Sequence, residues 1–327
     1  MTNDERNPKA RSVVSLDADP SPREESFKEP ETGLAELLLC PPDHYGIEYE
    51  INPWMDRRQN AEPALARSQW GGLKAKLESL GAKVELLAPQ PSLPDLVFTA
   101  NAGLTVGKKF IRSNFRFPQR RGEEPHFEEW FARRGFEILR LPEGLFFEGE
   151  GDALFCGEVL FCGYRFRSDI RSHRAIGEML KCLVISVELV MDRFYHLDTC
   201  FCPLGDSSAM WYPEAFDDYG QRALRKRIPS LIDVAPEEAG NFACNAVVLG
   251  REIVLPEGCP KLYKELRERG FQPHLLPMTE FLKAGGACKC LTLFVPQKAL
   301  QDASGAQRTG LRSNPEPSDR RSDPREV

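Results

Sequence analysis

The chain has 327 residues, a mild formal net charge of −6 and ten cysteines. Its basic residues are scattered rather than gathered with aromatics into a stripe, so nucleic acid is excluded as the expected partner. No window approaches about 18 continuous apolar residues and the N-terminus has no apolar signal core, so no membrane partner is expected and a cytoplasmic protein with free, buried thiols is.

Residues 1–33 are charged, rich in Pro and Ser and nearly free of large apolar side chains, and residues 300–327 repeat that composition. Neither tail buries enough surface to offset the entropy of ordering, so both are expected to be disordered. Residues 34–299 read as a single folded domain. Gln69 to Leu80 sets Trp70, Leu73, Leu77 and Leu80 on one helical stripe, which Gly81 stops before a short strand pattern ending at Pro89. The phrase returns where Phe127 to Arg134 leads through Gly135 into 136–142, and where Leu262 to Arg269 leads through Gly270 into 271–277.

Between these phrases lie paired apolar runs with hairpin turn chemistry. Leu96 to Val106 faces Lys109 to Arg112 across Gly107, Ala153 to Cys156 faces Val159 to Cys162, and Ala246 to Leu249 faces Glu252 to Leu255 across Gly250. At or just before the first strand of each unit stands a small polar residue: Asn101, Asp152, Asp198, Asn245 and finally Cys290. They are 51, 46, 47 and 45 residues apart. A period of this length marks one repeated supersecondary unit. Five occurrences predict an α/β fold of ββαβ units with pseudo-fivefold symmetry, strands inside and helices outside, converging these five residues on the axis.

His196 and Asp198, two residues apart where an apolar run enters a strand, are expected to share one face of it. Taken singly, each polar residue also fits a strand-start cap through local hydrogen bonds. Five in register, one a cysteine and one beside a histidine, point to a site. A Cys with a His and a carboxylate suits thiolate attack on an electrophilic carbon, with the His moving protons. A cationic ligand favours the thiolate, and Asp95, Glu148, Glu150, Asp152 and Asp198 suit such a cation, best a planar guanidinium held bidentately. Cys200, Cys202, Cys288 and Cys290 form C-x-C pairs rather than the zinc-finger spacing, so neither metal nor cofactor is expected.

His196-Leu-Asp-Thr, Phe147-Glu-Gly-Glu-Gly-Asp152, Pro94-Asp-Leu-Val-Phe-Thr-Ala-Asn101 and Gly285-Gly-Ala-Cys-Lys-Cys290-Leu-Thr together resemble the guanidine-modifying superfamily. Its fold is the five-bladed α/β propeller called the pentein, and it includes arginine deiminases, dimethylarginine dimethylaminohydrolases, amidinotransferases and arginine dihydrolases. The resemblance implies a small guanidino substrate, with Cys290 as nucleophile rather than Cys288, His196 as general acid then base, and Glu148 as catalytic acid. Where the family often has Glu-Gly-Gly-Asp this chain has one residue more, which leaves Glu148 and Glu150 in competition. By the same resemblance Asp95 binds guanidinium, Asn101 stands where dimethylaminohydrolases carry a second aspartate, and Arg120 and Arg167 hold the substrate carboxylate; otherwise those arginines are solvated turn residues. Asp198, Asn245 and Asn52 complete the expected substrate contacts. Asn101 and Asn52 resemble the dihydrolases, which hydrolyse arginine twice to ornithine, ammonia and carbon dioxide. Enzymes that stop at citrulline, amidinotransferases and a non-catalytic arginine-binding or zinc-holding protein stay open, and a homo-oligomer is compatible with the sequence.

Overall fold

The computed structural model describes residues 35–296. The two tails expected to be disordered lie outside the described residues, as do residue 34 and residues 297–299 of the expected domain.

The chain opens with β1 (Glu36–Leu39), α1 (Pro63–Ser79) and β2 (Lys83–Leu86), β2 lying parallel to β1. Ala66, Trp70, Leu73 and Leu77 of α1 recur at helical spacing and are all buried. Burying a Leu this fully stabilises by about 2 kcal/mol. The helix begins six residues before the expected Gln69, because Pro63 supplies a preset first turn and Glu62 accepts the amides of Ala64 and Leu65.

Four copies of one unit follow. β3 (Gly103–Val106) pairs antiparallel with β4 (Lys109–Arg112), and after α2 (Glu124–Arg133) the chain returns as β5 (Glu137–Leu139), parallel to β4. The same order builds β6 (Ala153–Cys156), β7 (Val159–Tyr164), α3 (Ile170–Leu180) and β8 (Leu183–Glu188). It recurs in β9 (Phe201–Pro203), β10 (Ser208–Trp211), α4 (Asp218–Arg227) and β11 (Ser230–Asp233). Past the short α5 (Pro236–Ala239) come β12 (Val247–Leu249), β13 (Glu252–Pro256), α6 (Pro260–Glu268) and β14 (Gln272–Leu276). After α7 (Thr279–Leu282), β15 (Leu293–Phe294) pairs antiparallel with β1, so the last strand completes the sheet that the first began. The result is a mixed α/β fold of five three-stranded sheets, each strand–strand–helix–strand. No helix among the described residues is long and apolar enough to cross a membrane.

Two expectations are corrected. Leu96 to Ala102 is not strand: Pro94–Val97 and Thr99–Ala102 are 3-10 turns, and only Gly103–Val106 pairs with β4. His196 and Asp198 do not share a strand face either, because Leu197–Thr199 is a 3-10 turn and the strand starts at Phe201. A short buried apolar run has no periodicity that separates these conformations. Turns of the same kind occupy Gly149–Gly151, so the approach to each of three first strands is a tight bend that turns a polar side chain inward.

Candidate active site

Asn245 organises the turn that carries Cys290. Its Oδ1 accepts the backbone N–H of Ala287 at 3.0 Å and of Cys290 at 3.1 Å, while its Nδ2 donates to Cys290 Sγ at 3.0 Å and to the Asp198 carbonyl at 3.2 Å. The Cys290 thiol donates to Asp198 Oδ2 at 3.3 Å. Cys290, Asp198 and Asn245, spaced by about one repeat each, therefore meet. Burial and then the Asp198 charge push the Cys290 thiol well above its ordinary value.

The second cluster centres on Glu148. Its Oε2 accepts from His196 Nε2 at 2.8 Å and from Arg167 Nη1 at 2.9 Å, with all three side chains buried. Burial alone would raise the Glu148 carboxyl, but Arg167 and His196 outweigh it and hold the group well below the ordinary range. With Nε2 committed to Glu148, His196 keeps Nδ1 without a hydrogen-bond partner among the described residues. Asp152 braces this cluster from behind, accepting Ser168 Oγ at 2.6 Å and the Leu197 amide at 3.1 Å. Both its oxygens are thereby committed within the protein, against the expectation that it binds the cation. Gly149 makes the turn available: its φ is +61°, and a Cβ there would stand 2.6 Å from the Gly103 nitrogen.

Between the clusters opens a small cavity whose walls include Cys290, Asp95, Asn101, Arg120, Arg167 and Asn52. Arg120 and Arg167 are each only 2% exposed, so the solvated-turn alternative is overturned. Arg120 forks onto both Glu123 oxygens at 2.8 and 2.7 Å and donates to Asn101 Oδ1 at 2.7 Å. Arg167 also donates to the Ile51 carbonyl at 3.0 Å. Since a guanidinium has five N–H donors, Arg167 retains uncommitted ones. Asn52 reaches Ala284 O at 3.0 Å and caps Trp54, which fixes the 51–55 segment against the Gly-rich turn. Asp95 Oδ1, Asn101 Nδ2 and Asp198 Oδ1 have no hydrogen-bond partner among the described residues.

Charge completes the picture. Asp95, Glu123, Glu148, Glu150, Asp152 and Asp198 are buried around this centre against Arg120, Arg167 and Lys289. Burial pushes Asp198 and Asp152 up to about 6, with Lys289 opposing at Asp198 and His196 at Asp152, and it raises Asp95 despite Arg120. A buried excess of carboxyl groups is relieved by protons or by a cation. Such an excess beside a thiol favours a ligand that brings positive charge. Glu150 stands apart: its Oε2 takes Lys289 Nζ at 2.8 Å and it does not line the cavity. Sequence reasoning missed Lys289, Glu123 and Tyr195. Each had a signal, as a lysine inside an apolar Gly-rich run, a glutamate three residues after Arg120 and an aromatic beside His196. Among the described residues no cluster suits a metal ion.

The family model described as N,N dimethylarginine dimethylhydrolase, eukaryotic, matches residues 48–294. The chain belongs to this dimethylarginine dimethylaminohydrolase family, within the guanidine-modifying superfamily. A member from Mycobacterium tuberculosis, N(G),N(G)-dimethylarginine dimethylaminohydrolase, is 38% identical over 255 residues, which are 78% of this chain and 84% of that one. The bifunctional arginine dihydrolase/ornithine cyclodeaminase ArgZ of Synechocystis is 46% identical over 271 residues, 81% of this chain. Those residues span only 38% of ArgZ. The crystal structure of the ArgZ N-terminal domain bound to product, an arginine dihydrolase, superposes with a TM-score of 0.80 at 45% identity, covering 82% of this family member and all of that domain.

Proposed function

We propose that residues 34–299 form a single catalytic domain, a five-bladed pentein propeller, that acts as an arginine dihydrolase. The observation that carries this reading is the cavity in which Cys290, hydrogen-bonded to Asp198, stands beside Asp95 and Asn101, with Asp95 Oδ1, Asn101 Nδ2 and Asp198 Oδ1 lacking a hydrogen-bond partner among the described residues. Asp95 and Asp198 take the guanidinium N–H groups, and its positive charge favours the Cys290 thiolate. Arg120 and Arg167 take the substrate carboxylate through donors not used by Glu123 and Glu148. Asn52 and Asn245 hold the walls.

The thiol proton passes to His196 Nδ1 and the thiolate attacks the guanidinium carbon. His196 returns that proton to the departing nitrogen, ammonia leaves, and a covalent S-alkylthiouronium remains on Cys290. Water then gives a proton to His196 and attacks the same carbon, and the C–S bond breaks to release a ureido product. Glu148 holds the imidazole and stabilises it when protonated. Asn101 is neutral, so its amide serves the neutral ureido group as well as the cation, and a second round consumes citrulline. One arginine and two waters then give ornithine, two ammonia and carbon dioxide. The product-bound ArgZ domain, an arginine dihydrolase, supports this choice.

A second reading, hydrolysis that stops at citrulline, is favoured by the dimethylaminohydrolase at 38% identity. Incubation with arginine and, separately, with dimethylarginine distinguishes them by the ornithine, citrulline and ammonia formed. Ornithine with two ammonia per arginine is expected, and citrulline accumulating without ornithine selects the second reading. Activity that survives Cys290→Ala would refute both. The ten cysteines are all free, which fits a reducing compartment, the cytoplasm.

A further inference from the structure

One buried ion pair takes no part in the steps above. Lys289 precedes Cys290, is 6% exposed, and sends its ammonium to Glu150 Oε2 at 2.8 Å and to the Thr292 carbonyl at 3.0 Å, while its backbone N–H donates to Asn245 O at 3.2 Å. Glu150 is fully buried, also accepts the Phe294 amide at 3.4 Å, and leaves Oε1 without a partner among the described residues. It sits in the same 3-10 turn that begins just after Glu148. One short turn therefore presents a carboxylate to the imidazole from one end and a carboxylate to the residue beside the sulfur from the other.

Desolvating a lysine and a glutamate together is expensive and adds little net stability over an apolar pair, so the pair calls for a role. We propose that Glu150 and Lys289 form a positioning pair for the nucleophile: Glu150 anchors the ammonium, and the ammonium both staples the turn carrying Cys290 and supplies the positive charge that acts on Asp198. Neither touches the substrate. The groups facing Asp198 are the Cys290 thiol, Lys289, Glu150, Cys200, Cys202 and Tyr195. Lys289 is the one fixed cation among them, and it opposes the upward push of burial on Asp198. Glu150 and Asp198 repel each other. The two members of the pair therefore act on Asp198 with opposite sign.

This inference rests on Cys290 and Asp198 acting together, as proposed above, but its test needs no guanidino turnover. The rate of Cys290 alkylation by iodoacetamide is followed against pH by mass spectrometry in the full chain. Because the Asp198 charge opposes thiolate formation, ionisation of Asp198 puts an inflection in this profile near pH 6. Lys289→Met is expected to move the inflection up by about one pH unit, Lys289→Arg to restore it, and Glu150→Gln to move it down. A change confined to folding lowers turnover, opens the buried Cys290 to alkylation at every pH and leaves the inflection in place. An unmoved inflection in folded Lys289→Met overturns the proposal. Should that variant fail to fold, Glu150→Gln decides alone, and an inflection there that rises or stays overturns it. Arginine turnover, measured in parallel, tests the hydrolase reading separately.

Discussion

Replacing Glu148 with Gln keeps the shape of the side chain and removes its charge, which makes it a clean probe of the His196–Glu148–Arg167 cluster. In the protein one oxygen, Oε2, accepts from both His196 and Arg167 at 2.8 and 2.9 Å with no exposure to solvent. A hydrogen bond to a charged group is stronger than a neutral one by about 1 kcal/mol, so two of them amount to about 2 kcal/mol. The guanidinium of Arg167 lies 4.8 Å from the Phe117 ring and 4.6 Å from the Tyr195 ring, which cushions it after its anion is gone and holds the loss near this figure rather than the larger cost of an orphaned buried charge. Glu148→Gln is expected to lower the melting temperature by about 4–8 °C, and, if the lost support is felt in the transition state, turnover by about thirtyfold. The Glu148 carboxyl is held below its ordinary range in the folded protein. Its stabilisation is thus present above the ordinary Glu range and disappears only as pH falls through the lowered value. Urea unfolding of both proteins at pH 7 and about pH 5 should show the same gap at each. Equal stability at neutral pH, or a gap already closing at the lower pH, would refute the assignment of that carboxylate to two cations.

Two further outcomes follow from the same geometry. Asn245→Ala leaves the buried amides of Ala287 and Cys290 without an acceptor and removes one of the two partners of Cys290 Sγ; urea unfolding should show a loss of about 3 kcal/mol, with alkylation of Cys290 altered as the turn loosens, and a loss below about 1 kcal/mol would mean that the turn holds itself. For Asp198, raised to about 6 by burial with Lys289 opposing, the sign runs the other way from Glu148: the stability linked to its proton is present below the ordinary carboxylate range and is lost as pH rises through about 6. Arginine added to Cys290→Ala protein should therefore raise the melting temperature more at pH 7 than at about pH 5, where most of the carboxylate is protonated. A shift equal or larger at the lower pH would remove Asp198 from the cation site.

Much of this architecture was legible because the repeat is carried by residue types that only a few conformations accept. Gly135 and Gly270 stop their helices at positive φ, and the polar residue before each first strand recurs once per unit because each unit must turn there. The period located Asn101, Asp198, Asn245 and Cys290 near one another without any pairwise information. It did not show which side chain meets which. Glu148 and Glu150 are two residues apart with a glycine between, and a strand would have sent both the same way. The left-handed φ of Gly149 instead sends one carboxylate to His196 and the other to Lys289. That φ exists because the turn packs against the Ala100 carbonyl and the Gly103 backbone, residues some 46–49 positions earlier in the chain. Local pattern can require a glycine at such a place, but the direction it gives its neighbours is set by the unit it packs on. The distinction between an acid that moves protons and an acid that holds a neighbour's charge therefore enters with tertiary structure, after the fold has decided which turn lies against which.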